Sequence, residues 1–474
     1  MSKVNSAHST AACKIGAPVE CDTIAILGGG FSGTMLAVQL LRLAKKPLHI
    51  KLIERSSGVG RGVAYGTHCA GHVLNVPAKS MSAIPDDPDH FLRKCTERQR
   101  FSGIEPDSFV PRKIYGQYVE HVLSEALCEA HPEVTFDRIA EEAIGIDVTS
   151  DDWAHIKFGS GRGLIADKVV LAIGNLPPAN PPIADSGFYQ SHRYFARAWS
   201  ESSLRWLFGD EPVLLVGSGL TCVDTIIALR EQGHRGIIHV VSRRGLMPHV
   251  HRPSAPCEPF LRAEDASKGL QWLVRRVRQE ADAAMADGRD WRGVLDSIRP
   301  ITRDIWVSLS LDDKKRFVRH VRPYWEAHRH RCAPGPFYTV SDMMSAGQVV
   351  LHAGRVSKYT ETRHGVEVEI ARRMKAGTAH ITVSRVVNCT GPLSDYRQLQ
   401  EPLVRDLMLQ GAIKPDDLNQ GLAVTPHGSL IDTKGRPSRL LSTLGPPTKG
   451  TFWETTAVAE IRVQARDLAK RLLR

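Results

Sequence analysis

The sequence predicts an α/β fold in which one structural plan occurs twice along the 474-residue chain. An apolar strand, a glycine turn and a helix follow one another at 23–40, TIAILGGGFSGTMLAVQL, and again at 213–224, VLLVGSGLTCVD. Each copy closes with a short β-meander and a buried strand that ends in a glycine turn, DKVVLAIGN at 167–175 and SRVVNCTGP at 384–392. This order of elements is typical of Rossmann-like dinucleotide-binding domains. We therefore expect two such domains, each with its own β-meander.

The composition is that of an ordinary globular protein, with 42% hydrophobic and 24% charged residues. No apolar run is long enough to cross a bilayer, and residues 1–20 lack the apolar core of a signal peptide. We expect a cytoplasmic protein with a loose N-terminal tail and no membrane partner. The nine cysteines form no C-x-x-C and no metal-binding pattern. This fits a reducing compartment, predicts no metal site and argues against a disulfide reductase.

The net charge of +11 is most concentrated at 319–331, RHVRPYWEAHRHR. Such a cluster suits either nucleic acid or a small anionic cofactor or substrate. Because the chain also carries two dinucleotide motifs, we expect the small anionic partner and no nucleic acid.

The first copy has the complete glycine pattern of a dinucleotide site. The residues of its turn are Gly28, Gly30, Phe31, Ser32 and Gly33. The first glycine allows a tight turn, the second lets the backbone approach a pyrophosphate, and the third lets helix pack on strand. The phosphates would meet the free N–H groups of the helix N-terminus. The next strand, LHIKLIERS, ends at Glu54, 21 residues after Gly33, where a carboxylate would accept hydrogen bonds from a ribose. The alternative is a glycine turn without a ligand.

The second copy keeps the first two glycines and reverses the charge at the next strand end. The residues of its turn are Gly217, Ser218, Gly219, Leu220 and Thr221, with Cys222 in the place of the third glycine. A small residue there still permits close packing of helix on strand. After the strand GIIHVVSRRG, Ser242, Arg243 and Arg244 replace the acid of the first copy. Arginines bind a 2′-phosphate that a carboxylate would repel, so we expect NADPH rather than NADH here. Alternatively, the arginines belong to a solvated turn.

Two dinucleotide sites of opposite charge suggest an electron route from NADPH in the second site to FAD in the first. This layout resembles the two-dinucleotide-binding-domain flavoproteins, such as glutathione-reductase-like enzymes and class B flavin monooxygenases. Within that class the chain resembles a bacterial family described as FAD/NAD(P)-binding proteins, which includes members described as FAD-dependent urate hydroxylases. The resemblance covers nearly the whole chain from about residue 22. It is carried by GGGFSGTMLA, GVAYGTHCAGHVLNVPAKSMSAIPDDPDHF, VPRKIYGQYV, VGSGLTCVD, SRRGLMPHVH, RFVRHVRPYWEAHRHRCAP and KGTFWETTAVAEIRVQA.

The resemblance implies an FAD-binding domain that is split in the sequence. We expect the tail at 1–20, the first part of the FAD domain at 21–205, an NADPH-binding domain at 206–384 and the second part of the FAD domain at 385–474. A helical insertion at about 258–335 would belong to the NADPH domain.

The resemblance also places residues outside the glycine turns along the cofactors. These are Arg55, Arg61, Gly62, His72, Asn75, Val76, Thr390 and Gly391. Arg61 and Gly62 would meet the FAD phosphates, and the segment around Asn75 would lie near the isoalloxazine ring; the alternative for this segment is a structural Ω-loop. Arg112, at a predicted helix start, would also contact FAD, with an ordinary capped surface helix as its alternative.

Near the C-terminus, LGPPTKGTFWETTAVAEIRVQARDLAKRLL is typical of a glycine-rich loop that opens a final helix. The resemblance implies that this helix points its N-terminus at the flavin pyrimidine, with Gly450, Thr451 and Trp453 in contact. The positive end of the helix dipole would stabilise an anionic reduced flavin. Glu454 is either a first-turn carboxylate that favours the helix or part of the site.

No signature identifies a catalytic residue, and the candidates are His72, Asn75, His328 and Arg329. The last two lie in the basic cluster, where residues three or four apart share one helix face. Arginine beside an aromatic ring suits a planar anion, and histidine moves protons near neutral pH. A solvated basic helix face is the alternative.

We expect an FAD-dependent, NADPH-using monooxygenase that hydroxylates a small polar substrate with molecular oxygen through a C4a-(hydro)peroxyflavin. Monooxygenation rests on the resemblance, since the class B signature F-x-G-x-x-x-H-x-x-x-W is not met: GFYQSHRYFARAW at 187–199 has His192 and Trp199 at a different spacing. The alternatives are an NADPH-dependent flavin reductase or dehydrogenase with another electron acceptor, and a non-catalytic flavin-binding scaffold. The sequence leaves the substrate and a homo-oligomeric state open.

Overall fold

The structure, a computed structural model, describes residues 21–56, 58–97, 103–148, 152–200, 202–205, 207, 209–374 and 377–474. The tail expected at 1–20 lies outside these residues. The strands are β1 (Asp22–Leu27), β2 (Leu48–Ile53), β3 (Val134–Ile139), β4 (Ala143–Asp147), β5 (Ala154–Phe158), β6 (Gly163–Ala166), β7 (Lys168–Leu171), β8 (Tyr194–Phe195), β9 (Val213–Val216), β10 (Ile238–Ser242), β11 (Val349–Thr362), β12 (Gly365–Arg372), β13 (Thr378–Val383), β14 (Arg385–Asn388), β15 (Ser429–Ile431) and β16 (Pro437–Thr443).

The α-helices are α1 (Phe31–Leu43), α2 (Gly62–Tyr65), α3 (His90–Glu97), α4 (Arg112–Glu129), α5 (Leu220–Glu231), α6 (Leu270–Ala286), α7 (Trp291–Ile298), α8 (Thr302–Ser308), α9 (Leu311–Arg316), α10 (Arg322–Arg329), α11 (Pro334–Ser345), α12 (Pro402–Leu409), α13 (Lys449–Phe452) and α14 (Val458–Leu472). A π-helical turn, Phe317–Val321, joins α9 to α10. Among the described residues, none of the helices combines the length and the apolar character that a bilayer span requires.

Two large sheets repeat one plan. The first has the strand order β15-β16-β7-β1-β2-β3, and the second has the order β13-β12-β11-β10-β9-β14-β8. In each sheet the first strand of the copy runs parallel to the second strand, β1 to β2 and β9 to β10. The closing strands β7 and β14 pair in parallel on the other side. The predicted α/β fold with two Rossmann-like units is confirmed.

Both units also have the expected β-meander. In the first, β4, β5 and β6 form a separate antiparallel sheet. In the second, β11 leaves the parallel sheet and continues as an antiparallel ribbon with β12 and β13. The meanders therefore differ in how they attach to the parallel strands.

The same steric constraint shapes both glycine turns. Gly28 and Gly217 have φ of +111° and +110°. A Cβ on either would lie 2.4 Å from a carbonyl oxygen, that of Ala172 or of Cys389, because the residue after the closing strand crosses the turn. Glycine is required at both positions since an L side chain has neither the conformation nor the space.

The helices that follow the turns are buried against their sheets. Helix α1 is buried along most of its length and packs on α4 and α14. Helix α5 packs with α11, which is the crossover helix that leads into β11. These buried helices hold the two glycine turns at the carboxyl ends of the parallel strands.

Helices α6 to α10 form an excursion between β10 and β11 with a small apolar core of its own. That core includes Leu273, Ile305, Trp306 and Phe317, and Trp453 of the C-terminal segment joins it. The excursion is therefore fixed to the part of the chain that follows β16.

Sheet membership differs from the predicted domain boundaries at two points. Strand β14 belongs to the second sheet, although 385–474 was assigned to the FAD domain, and β8, within 21–205, pairs with it. The reason is the duplication itself: β14 closes the second copy as β7 closes the first, so it must hydrogen-bond to β9. The chain returns to the first sheet only with β16, which pairs with β7.

The expected final helix begins later than predicted. Lys449–Phe452 form only one helical turn, and Trp453 then breaks the helix with φ of +63°. Helix α14 starts at Val458. A positive φ is unfavourable for a bulky residue, and the burial of the Trp453 indole against the excursion offsets that cost.

Candidate functional site

The first glycine turn forms an open cradle at the end of β1. Helix α1 begins after Gly30 without a side-chain cap, so its first N–H groups are available to a ligand. A Cβ on Gly30 would meet only the Cα of Gly62, at 3.7 Å. The Glu54 carboxylate stands beside this space, where it accepts hydrogen bonds from the backbone N–H groups of Gly29 (2.7 Å) and Ser56 (2.8 Å). A pyrophosphate and a ribose fit this set of donors and acceptors.

The two arginines expected along FAD are engaged with protein carboxylates. Arg61 binds Glu120 of α4 through two hydrogen bonds of 2.7 and 3.0 Å. Arg55 pairs with Glu142 at 2.8 Å and lies 3.5 Å from Glu401. In this stretch Gly62 lies against Gly30, and the Gly60 N–H donates a hydrogen bond to the Gly29 carbonyl at 2.7 Å.

His72 lies at the junction of the two units. It is buried, with Nδ1 2.7 Å from the Thr67 hydroxyl and Nε2 2.9 Å from the backbone oxygen of Asp224 in α5. Its ring also meets the edge of Trp199 at 5.1 Å. Because both ring nitrogens have partners inside the protein, His72 braces the fold in this structure.

Arg112 serves the same junction. Its Nε donates to the carbonyl of Val73 at 3.0 Å, and its Nη2 pairs with the Asp224 carboxylate at 2.9 Å. Burial raises the pKa of Asp224 above its usual range, and the charge of Arg112 opposes that rise. Asn75 and Val76 lie half-buried in the same loop. No sequence signal indicated this ion pair, since its partners are 112 residues apart.

The second glycine turn is also open. Helix α5 begins at Leu220 after Gly219, again without a side-chain cap. A Cβ on Gly219 would meet no atom within 4 Å. The hydroxyl of Ser218 donates to the carbonyl of Leu246, which ties the turn to the segment after β10. Thr221 lies in the first turn of α5.

Thr390 and Gly391 follow the closing strand of the second unit. The Asn388 side-chain oxygen accepts hydrogen bonds from the Thr390 N–H (3.1 Å) and hydroxyl (2.7 Å). Gly391 has φ of +86° and open space around it. This turn lies directly over Gly217, since a Cβ there would approach the Thr390 Cα to 2.9 Å.

The strand end beside this turn carries positive charge that the protein leaves unneutralised. Ser242 accepts a hydrogen bond from the Gly245 N–H at 3.1 Å. Neither Arg243 nor Arg244 has an ion pair within the described ranges, and Nη1 of Arg244 is buried without a hydrogen-bond partner. The Arg244 guanidinium lies 5.0 Å from the ring of Tyr324 on α10. An anion would supply the acceptor that the buried Nη1 of Arg244 lacks, whereas Arg243 is exposed, as a solvated turn would leave it.

The C-terminal segment reaches the first glycine turn. A Cβ on Gly445 would lie 2.6 Å from the Ser32 hydroxyl, so this segment passes over the start of α1. Further on, the carbonyl of Gly450 accepts a hydrogen bond from the Trp306 indole at 2.9 Å. Trp453 packs on Trp306 with ring centroids 4.6 Å apart. Thr451 is half-buried.

The basic cluster is largely an internal ion-pair network rather than a solvated helix face. Arg322 binds Glu326 at 2.7 Å, and Arg331, which is buried, binds Asp296 at 2.7 and 3.1 Å. Arg319 and His320 remain exposed. Sequence periodicity alone could not show which basic residues form ion pairs and which are exposed, because some of the carboxylate partners lie on other elements.

Arg329 and His328 point in different directions. Arg329 lies 3.8 Å from Glu454, whose carboxylate also accepts a hydrogen bond from the Trp325 indole at 3.2 Å. His328 packs against His249 with ring centroids 4.4 Å apart and ring planes inclined at 48°. Glu454 thus holds the C-terminal segment to α10.

Lys449 is a charged residue of this region that the sequence analysis did not select. Its ammonium lies 5.0 Å from the Trp453 ring centroid. Burial lowers the pKa of Lys449 to about 8, and the charge of Arg322 adds to this effect while Glu326 and Glu454 oppose it. The sequence feature that could have pointed to Lys449 is its place in the segment KGTFWE, next to Gly450 and close to Trp453.

A cavity of about 460 Å³ lies between α8 and the C-terminal segment. Its lining includes Arg303, Asp304, Lys314, Asp416, Asp417 and Phe452. Burial raises the pKa of Asp416 to about 6, although backbone N–H groups of Leu418 and Gln420 bind its carboxylate. Among the described residues, no group of three or more His, Cys, Asp or Glu side chains is placed to hold a metal ion.

Comparisons with known proteins agree with this architecture. Residues 25–176 match the family model described as FAD-NAD(P)-binding. L-Lysine 6-monooxygenase from Pseudomonas syringae superimposes with a TM-score of 0.64 at 15% identity, over 96% of this chain and 99% of that chain. Ornithine N-hydroxylase from Kutzneria sp. 744, whose structure carries reduced FAD, NADP⁺ and L-ornithine, gives 0.61 at 14% identity, over 95% and 99%. No curated protein matches the sequence.

A bacillithiol disulfide reductase from Bacillus cereus also superimposes, with a TM-score of 0.54 at 12% identity over 96% of this chain and 99% of that chain. The chain therefore has the fold of the two-dinucleotide-binding flavoproteins, and the predicted resemblance to this class is confirmed. Hydroxylases and a reductase share the fold, so the fold does not decide between their activities.

Proposed function

We propose that this protein is an FAD- and NADPH-dependent monooxygenase that hydroxylates a small polar substrate. The observation that carries the proposal is the pair of open glycine turns with opposite charge at the neighbouring strand end, Glu54 in the first unit and Arg243 with Arg244 in the second. A ribose suits the carboxylate, and the 2′-phosphate of NADPH suits the arginines. The reaction consumes NADPH, a proton, oxygen and substrate, and yields NADP⁺, water and the hydroxylated product.

The first unit would hold FAD, with its pyrophosphate at the start of α1 and its ribose on Glu54. Bound FAD would accept a hydride from NADPH and supply one oxygen atom of O₂ to the substrate. Gly219 and the start of α5 would hold the NADPH pyrophosphate. The excursion helices would exclude water from the site, because Trp306 holds the C-terminal segment against them through its contacts with Gly450 and Trp453.

The cavity beside Phe452 is the space that we propose for the substrate. Three carboxylates, those of Asp304, Asp416 and Asp417, line it together with two basic side chains and apolar residues. Carboxylates favour a cationic group, and two structural neighbours are named for the hydroxylation of lysine and ornithine. A small aliphatic amine is therefore the first substrate class to test.

The second candidate function is an NADPH-dependent flavin reductase that passes electrons to another acceptor. The likeness to a disulfide reductase supports it. The eight cysteines in the described part of the chain are all free thiols. A dithiol mechanism would need two of these thiols beside the flavin, and the sequence has no C-x-x-C. A reductase of this chain would therefore use an acceptor other than an internal disulfide.

The test is an anaerobic titration of the purified protein with NADPH and, in parallel, with NADH, followed by the admission of air with and without amines. We expect the flavin band to bleach faster with NADPH, and one amine to yield a hydroxylated product in step with NADPH consumption. Reduction by NADPH that yields only hydrogen peroxide with every substrate would favour the reductase. A protein that binds no flavin, or whose flavin neither nucleotide reduces, would contradict both candidates.

A further inference from the structure

Three arginines lie near the second nucleotide site, two of them after the end of β10 and one in the middle of β11. Arg243 and Arg244 follow β10, and Arg355 lies on β11 where this strand leaves the parallel sheet for the meander. Within the residues that the structure describes, none of the three has an ion pair or a side-chain hydrogen bond. Neighbouring positive charges repel one another, and an anion that binds between them removes this repulsion.

The sheet register explains why Arg355 faces the two neighbouring arginines. Strands β10 and β11 run parallel with Ser242 opposite Ala353. The chain turns back at Gly245, where a Cβ would lie 2.9 Å from the Ala353 Cβ. Residues two apart on a strand share a face, so Arg355 is on the same side as Ala353 and the turn. Its neighbours Gly354 and Val356 are buried on the opposite side.

Electrostatics agree with this placement. Burial lowers the pKa of Arg243, and among its charged neighbours Arg355 lowers it most, followed by Arg322 and Arg244. Arg322 is neutralised by Glu326 at 2.7 Å. The buried Nη1 of Arg244, which has no partner, shows that the site lacks one acceptor.

We propose that Arg355 joins Arg243 and Arg244 in a receptor for the 2′-phosphate of NADPH and sets the preference of the protein for NADPH over NADH. The inference rests on the proposed function, since it deepens the assignment of the second site. Arg355 lies two residues past the stretch of β11 that pairs with β10, and it pairs with Ala371 of β12, so its backbone position is fixed before the ligand binds.

The experiment titrates the FAD-loaded protein with 2′,5′-ADP and with 5′-ADP by calorimetry. We expect the wild type to bind 2′,5′-ADP more tightly. Arg355→Ala should weaken 2′,5′-ADP about ten- to a hundredfold, because it removes charge-assisted hydrogen bonds to a phosphate, and should leave 5′-ADP within about twofold. Arg355→Lys should fall between the two, since it keeps the charge but loses the planar fork. Arg363→Ala, exposed at the far end of the same ribbon, is the control and should match the wild type.

Three outcomes would overturn the proposal. If Arg243→Ala weakens 2′,5′-ADP and Arg355→Ala does not, Arg355 lies outside the receptor. If Arg355→Ala weakens both nucleotides equally, it does not read the 2′-phosphate. If the wild type binds both equally, the site has no such receptor. In each of these cases flavin reduction and product analysis still report separately on the proposed function, which fails when no nucleotide reduces the flavin or when no substrate is hydroxylated.

Discussion

At the scale of single residues, the two units differ in the charge at the end of the strand that follows the glycine turn. Glu54 is held beside the first glycine turn by backbone N–H groups. Arg243 and Arg244 occupy the equivalent strand end in the second unit. This exchange of charge separates two otherwise similar sites, and it is the reason why we propose FAD for the first and NADPH for the second.

Glu54→Ala should reduce FAD binding at least about tenfold, because it removes the acceptor for a ribose hydroxyl. The measurement is the flavin content of the purified variant, followed by the Kd for added FAD. Glu367→Ala removes an exposed carboxylate on β12 and should leave the flavin content unchanged. A Glu54→Ala protein that keeps a full complement of FAD would refute the role of this carboxylate.

The sequence predicts the positions of single residues where the constraint is local, and it does not show contacts between residues that are distant in the chain. The glycines of both turns, and the charge at the next strand end, follow from short patterns with fixed spacing. The roles of Arg112 and His72 depend on Asp224 in the other unit. No periodicity or spacing in the sequence connects these residues, so their bracing contacts became visible only in the folded chain.

At the scale of elements, each glycine turn with the helix that follows it should bind one cofactor, so that a change in one turn should affect the binding of that cofactor alone. The second glycine of each turn has free space where a Cβ would stand, with no atom within 4 Å at Gly219 and a first contact at 3.7 Å at Gly30. A methyl group fits there without disturbing the protein, but it would occupy the path of a pyrophosphate.

Gly30→Ala should therefore lower FAD binding and leave NADPH binding unchanged, while Gly219→Ala should raise the KM for NADPH about tenfold and leave FAD content unchanged. Each variant is the control for the other. Both should unfold at nearly the wild-type temperature, as thermal denaturation of the FAD-loaded Gly219→Ala protein would show. Loss of FAD from Gly219→Ala, or a shift in KM without a change in FAD content for Gly30→Ala, would contradict the assignment of the sites.

The helices and strands of the dinucleotide units could be predicted because strand, turn and helix alternate there with clear patterns. The start of the last helix could not, because Trp453 breaks it to bury its indole in the core of the excursion. Nor could the place of strand β14 in the second sheet, since sequence order does not show which sheet a strand enters. In both cases tertiary packing outweighs the local pattern.

At the scale of the whole molecule, the buried ion pair between Arg112 and Asp224 joins the two units. Arg112 stands at the start of α4 in the first unit, and Asp224 lies on α5 in the second. Two further hydrogen bonds reach α5. His72 donates to the backbone carbonyl of Asp224, and the Cys69 thiol donates to the Glu231 carboxylate at 3.0 Å. Loop 67–75 and α4 therefore clamp the helix whose N-terminus would hold NADPH.

A double-mutant cycle would measure this clamp. Asp224→Ala should lower the free energy of unfolding of the FAD-loaded protein by about 3–5 kcal/mol, because it leaves the Arg112 guanidinium buried without its counter-charge. Arg112→Met/Asp224→Ala should cost less than the sum of the two single changes, since the double variant leaves neither charge unpaired. Urea unfolding followed by fluorescence gives the four values. Additive costs would mean that the pair contributes nothing beyond its separate contacts, and that the units are held together by the His72 contact and apolar packing instead.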